Sequence, residues 1–86
     1  MENNSEKYIQ AINNKVYNYR GYIRRINKEV FGNSLSSLKR QASIVANDYY
    51  NSLDEMDVYF RGKKMFCLYR LNKKTPSGAW EAGEWR

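Results

Sequence analysis

The stretch Tyr17–Ser43, YNYRGYIRRINKEVFGNSLSSLKRQAS, carries two incompatible patterns, and the winner decides the fold. Ile9, Ile12, Val16, Tyr19, Ile23, Ile26 and Val30 follow alternating steps of three and four. That is a heptad over about three repeats, suited to an amphipathic helix or a coiled coil. The local chemistry opposes it. Val16, Tyr17, Tyr19, Tyr22 and Ile23 favour strands, and Gly21 inside a helix costs about 1 kcal/mol. Read with period two, Tyr17, Tyr19, Gly21 and Ile23 share one face, while Asn18, Arg20, Tyr22 and Arg24 share the other. The strand reading is preferred: a short helix over 5–13, broken at Asn13-Asn14, then a strand over 15–26. INKE serves as a turn, and Val30 and Phe31 begin a short return strand. The alternative keeps the heptad as one long N-terminal helix, giving an αα hairpin plus a β-hairpin.

Beyond this stretch the elements are plainer. Gly32-Asn33 breaks the chain and Ser34 is a good N-cap. Leu35, Leu38, Ala42, Val45 and Tyr49 line one face of a helix expected over 34–51. LDEMD reads as an acidic link, after which Met56, Val58 and Phe60 alternate with Asp57, Tyr59 and Arg61. RGKK supplies a turn containing Gly62, and MFCLYRL a second strand, expected to be central because both its faces are apolar. NKKTPSG is a loop and AWEAGEWR a third strand, where a bulge at Gly83 would put Trp80 and Trp85 on one face. The expected fold is a single α+β domain over 1–86, order α-β-α-β-β-β. A small antiparallel sheet packs on one main helix, and its other face collects exposed aromatics and cations.

The residue inventory excludes most catalysis. There is no histidine, no glycine-rich phosphate loop and no nucleophile elbow, so neither an enzyme nor a cofactor or metal site is expected. The single Cys67 sits among Phe66, Leu68 and Tyr69, which suits a buried, inert thiol. Asp54, Glu55 and Asp57 read as a solvated link rather than a weak hard-cation site, and Glu81 and Glu84 as cross-strand partners of Lys or Arg. The longest apolar run, Met65–Tyr69, is far below the ~18 residues of a membrane span. The start MENNSEKY lacks the order of a signal peptide. A cytoplasmic protein with no membrane contact is expected.

What remains is positive charge interleaved with aromatic rings. The formal charge is +6, and it is concentrated: residues 15–31 carry five basic and one acidic side chain, residues 56–86 seven and three. Cations neutralise phosphates, aromatic faces stack on bases, and arginine forks also suit carboxylates on a protein. The candidate contacts are Tyr17, Tyr19, Arg20, Tyr22, Arg24 and Arg25, with Arg61, Lys63, Lys64, Arg70, Lys73 and Lys74, and Lys39-Arg40 on the helix. Trp80 and Trp85 read as core.

With SLSSLKRQAS (Ser34–Ser43) opening the clearest helix and AWEAGEWR closing the chain, the whole resembles a small phage-encoded anti-CRISPR protein: short, histidine-free, with one main helix, a few short strands and late tryptophans. The resemblance implies a compact, non-enzymatic inhibitor acting in the host cytoplasm. It would bind a CRISPR effector or other host nucleoprotein complex and block the path of nucleic acid, its basic residues facing an acidic rim or the bound RNA. The basicity argues against an acidic DNA mimic. No individual functional residue carries over. The expected function is therefore such an inhibitor, monomer or homodimer. A direct DNA- or RNA-binding module is the alternative, and a heptad-mediated homo-oligomeric interaction protein the second alternative.

Overall fold

In a computed structural model the described residues are 17–86. The elements are β1 (Tyr19–Ile23), β2 (Lys28–Gly32), α1 (Leu35–Ala46) continued by a 3-10 turn (Asn47–Tyr49), β3 (Leu53–Phe60), β4 (Lys63–Leu71), and the short strands β5 (Lys73–Lys74) and β6 (Trp80–Glu81). The first four strands form one antiparallel sheet in the order β2-β1-β3-β4, while β5 and β6 pair separately.

This arrangement overturns the expected α-β-α-β-β-β order. Two strands precede the helix, and α1 has 12 residues, not the main helix expected over 34–51. The long N-terminal helix is overturned as well, and with it the heptad oligomer, because residues 19–23 and 28–32 are strands. The proposed helix over 5–13 and the start of the strand over 15–26 lie outside the described residues. Pairing explains why the heptad lost. Gly21 stands between Val30 on β2 and Val58 on β3, buried where a helix would have exposed its backbone. β1 also ends earlier than expected, at Ile23. Arg24–Asn27 make the turn, and Asn27 takes the left-handed conformation that its side chain tolerates.

Ser34 caps α1, its hydroxyl accepting from the Ser37 amide at 3.1 Å. Leu38, Ala42 and Ala46 face the sheet and meet Ile23, Val30, Met56, Val58, Leu68 and Trp85 in one core. The helix rests directly on β2: a Cβ on Gly32 would lie 2.7 Å from the Leu38 nitrogen. It stops short of Asn51 because Asn47 is drawn to Arg70 and Tyr50 turns left-handed, sending the chain into β3.

LDEMD is not a link; it is the first part of β3. Neither is β4 central. It is an edge strand, and β1 and β3 occupy the middle. Its apolar character is explained on one side by Leu68 in the core and on the other by exposed Tyr69 and Leu71. AWEAGEWR is no third strand of the main sheet. Only Trp80–Glu81 pair, with Lys73–Lys74. The last residues then cross β4, where Arg86 exchanges both backbone hydrogen bonds with Tyr69 at 2.8 and 3.0 Å. Gly83 marks the crossing, since a Cβ there would run into the Leu71 carbonyl. Trp85 is carried under the helix, and its indole donates to Ser43 Oγ at 3.0 Å. Among the described residues, no helix is long and apolar enough to cross a membrane.

Candidate nucleic-acid interface

Alternation along the strands sorts the candidate residues. Tyr19, Gly21 and Ile23 point toward the helix, whereas Arg20, Tyr22, Phe31, Asp57, Tyr59, Lys64, Cys67 and Tyr69 lie on the open face. Cys67 is therefore exposed, correcting the expectation of a buried thiol.

The middle of the open face is already neutralised. Arg24 clasps Asp57 through Nε (2.9 Å) and Nη2 (2.7 Å) and reaches Glu55 at 3.0 Å, while Lys64 lies 3.5 Å from Asp57. Hydrogen bonds from Arg24 hold the Asp57 carboxyl below its ordinary range, against the desolvation that would raise it. Asp57 in turn strengthens the proton affinity of Arg24. Arg24 is thus a structural residue rather than a free contact. The sign follows for stability: a depressed carboxyl stabilises the fold above its unfolded value of 3.8, and this is lost as pH falls through the lower folded value. In urea melts between pH 2 and 5, Asp57→Asn should be less stable than wild type at pH 5. The two should converge toward pH 2. Parallel curves would contradict the assignment.

Free charge collects at one end of the sheet, where the chain enters β1 and turns from β3 to β4. Residues 17–21, 30–33 and 58–66 meet here and contain no Asp or Glu, but they do contain Arg20, Arg61 and Lys63, which have no ion-pair partner among the described residues, beside Lys64, which reaches Asp57. Arg20 lies 4.3 Å from the centroid of the Tyr59 ring and Arg61 5.2 Å from that of Phe60. Tyr19 packs on Phe60 at 5.0 Å, and Tyr17 on Phe31 at 6.1 Å. A guanidinium stacked on a ring is held in place with its edge donors directed outward, a geometry suited to phosphate oxygens.

The β3–β4 turn builds this end. Phe60 pairs with Lys63, and the two loop residues Arg61 and Gly62 both have positive φ (49° and 84°), as a type I′ hairpin requires. Asn, Asp or Gly is the usual first residue of such a turn, so the long basic side chain of Arg61 sits there against local preference. A bulge follows: Val58 pairs with Phe66 but Tyr59 with Lys64, leaving Met65 as the extra residue and turning Lys64 to the same face as Tyr59.

The remaining candidates are dispersed. Tyr22 donates to Asn27, and Arg25 is exposed at the β1–β2 turn. Lys39 and Arg40 are on α1, on the opposite side of the molecule from the open face, and Lys73 and Lys74 lie on β5. Arg70 is no contact at all: it is 1% exposed, its Nε donating to the buried Asp54 at 2.9 Å. Glu81 stands opposite Lys73 in the strand register, but neither Glu81 nor Glu84 makes an ion pair among the described residues, against the expected cross-strand pairing. Sequence reasoning overlooked Phe31, Tyr59 and Phe60. The available signal was the Arg61-Gly62 turn, which sets Phe60 one position and Tyr59 two positions before the hairpin loop. No group of three metal-ligating side chains converges among the described residues. Compared with protein-family models, curated proteins and solved structures, the chain finds no match in any of the three, so the meaning of this surface rests on its own geometry.

Proposed function

We propose that this chain is a non-enzymatic inhibitor-type binding protein. It lays the cationic, aromatic end of its sheet on the phosphate backbone of nucleic acid carried by a host nucleoprotein complex, and so denies access to other nucleic acid. One observation carries the reading: three cations, Arg20, Arg61 and Lys63, two of them stacked on rings and none ion-paired among the described residues, share a sheet end with Tyr17, Phe31, Tyr59 and Phe60. Phosphates supply the charge complement, and unstacked bases the planar one. An acidic protein surface would satisfy the cations but make no use of the rings. Likeness in overall kind to small anti-CRISPR proteins agrees with a binding role.

The test is fluorescence anisotropy with labelled single- and double-stranded oligonucleotides at two salt concentrations. Micromolar, salt-sensitive binding is expected. Arg20→Glu, Arg61→Glu and Lys63→Glu together should weaken it sharply while leaving the circular dichroism spectrum intact. Neutralising three phosphate contacts should flatten the single-strand salt slope by about two. Unchanged affinity in the triple variant, or no binding even at low salt, sinks the proposal.

A further inference from the structure

At the other end of β4 lies a cavity of about 250 Å³ between the end of α1 and β6. From its geometry we infer that it holds a single unstacked nucleobase, with the attached phosphate beside Lys74; this rests on the nucleic-acid reading above.

Two rings form its walls. Tyr50 and Trp80 lie 6.3 Å apart at 33°, a wedge that opens to the ~7 Å needed by a flat ring between them (twice the ~3.5 Å contact distance) with a small swing of Tyr50. Tyr50 is free to make that swing because it is 62% exposed. Its backbone is left-handed, at φ 52°, a conformation that favours glycine or asparagine and is costly for a tyrosine. A large apolar ring held in solvent on a strained backbone does nothing for the core, and such strain concentrates at ligand sites.

Polar groups suit the edge of a base. Asn47, Asp48 and Asn51 line the cavity. Asn47 Oδ1 accepts from Arg70 Nη2 at 2.7 Å, which fixes that amide and leaves Nδ2 as a donor with no protein partner among the described residues. The Asn51 side chain offers a further donor and acceptor, and the Asp48 carboxylate accepts from ring or amino N–H groups. Lys74 stands directly opposite Trp80 in the β5–β6 pair, on the same face of that ribbon, so a nucleotide stacked on Trp80 has a cation next to it. Donors, acceptors, a planar slot and an adjacent cation are the complement of a nucleotide. A bare phosphate would use only the last of them.

Eight residue steps of β4, about 26 Å at ~3.3 Å per step, separate this cavity from Lys63, so the two contacts can be tested apart. Each of the four nucleoside 5′-monophosphates is titrated into 15N-labelled protein, with ribose 5-phosphate as control. Saturable shifts of the Trp80 indole and Asn51 amide signals are expected with at least one of them, while the Trp85 indole stays in place. Tyr50→Gly relieves the backbone strain, so its thermal midpoint should equal or exceed that of wild type, yet monophosphate binding should weaken at least tenfold. The triple charge reversal at the sheet end should leave monophosphate binding unchanged. No Trp80 shift at millimolar monophosphate, an equal shift with ribose 5-phosphate, or retained binding in Tyr50→Gly overturns the inference. If oligonucleotides still bind in the anisotropy assay after such a result, only the cavity is misassigned. If they do not, both readings fall.

Discussion

Arg70→Ala is expected to leave the chain largely unfolded at room temperature. The guanidinium is 1% exposed and its partner Asp54 is fully buried. Nε donates to Asp54 Oδ2 at 2.9 Å, Nη2 to Asn47 Oδ1 at 2.7 Å, and the guanidinium carbon sits 5.1 Å from the centroid of Trp85. Removing the cation strands a carboxylate whose remaining side-chain donor is Asn72 Nδ2, at 2.9 Å. Breaking one side of a buried pair costs about 3–5 kcal/mol, close to the whole stability of a domain this small. The mutation thus acts through what it leaves behind. Asp54→Asn combined with Arg70→Met removes both charges and should recover much of the loss. Urea unfolding followed by circular dichroism checks both. A cooperative Arg70→Ala transition near the wild-type midpoint would show that the pair is not a mainstay of the fold.

The second large effect is expected at Trp85. It is the largest aromatic ring in the core, buried at the chain's end, and truncation to alanine should cost about 3–5 kcal/mol. More than area is at stake. The indole anchors to Ser43, Gly83 donates to Asn72 Oδ1 at 2.9 Å, and Arg86 pairs with Tyr69, so the last four residues cover part of the outer edge of β4. Once the anchor is lost that edge opens, and the Tyr69 amide should exchange with solvent far faster than the amides of β1. Trp85→Phe keeps most of the apolar contact and gives up the hydrogen bond to Ser43, for about 1 kcal/mol. Because Trp85 touches Arg70, the two alanine substitutions should not be additive. Tyr69 exchange at the wild-type rate in Trp85→Ala would show that the tail is held by its backbone alone.

Local chemistry was legible wherever it is settled within a few residues. The Ser34 cap, the apolar face of α1 at Leu38 and Ala42, the period-two run Met56–Phe60 and the turn at Gly62 each depend on neighbours in the chain. The basic, tyrosine-rich character of the first hairpin was visible in the same way. Misreadings arose where the answer lay across the fold. Asp54 looked like part of a solvated link because its partner Arg70 is sixteen residues away. Arg70 looked like surface for the same reason. Cys67 sat in an apolar run, but alternation turned it to the open face, where it is exposed.

The sequence by itself determined which side chains were available: no histidine, an excess of arginine and lysine, many rings, and a capped helix between strand-forming segments. Those are properties of residue chemistry and short-range periodicity. Only the tertiary structure decided which cations are spent and which are free. Pairing of β1 with β3 sets Arg24 and Asp57 against each other, and burial consumes Arg70. The type I′ turn brings Arg61 and Lys63 to the same end of the sheet as Arg20. A charge counts toward a partner only if no carboxylate within the same fold reaches it first, and that competition is settled by strand register.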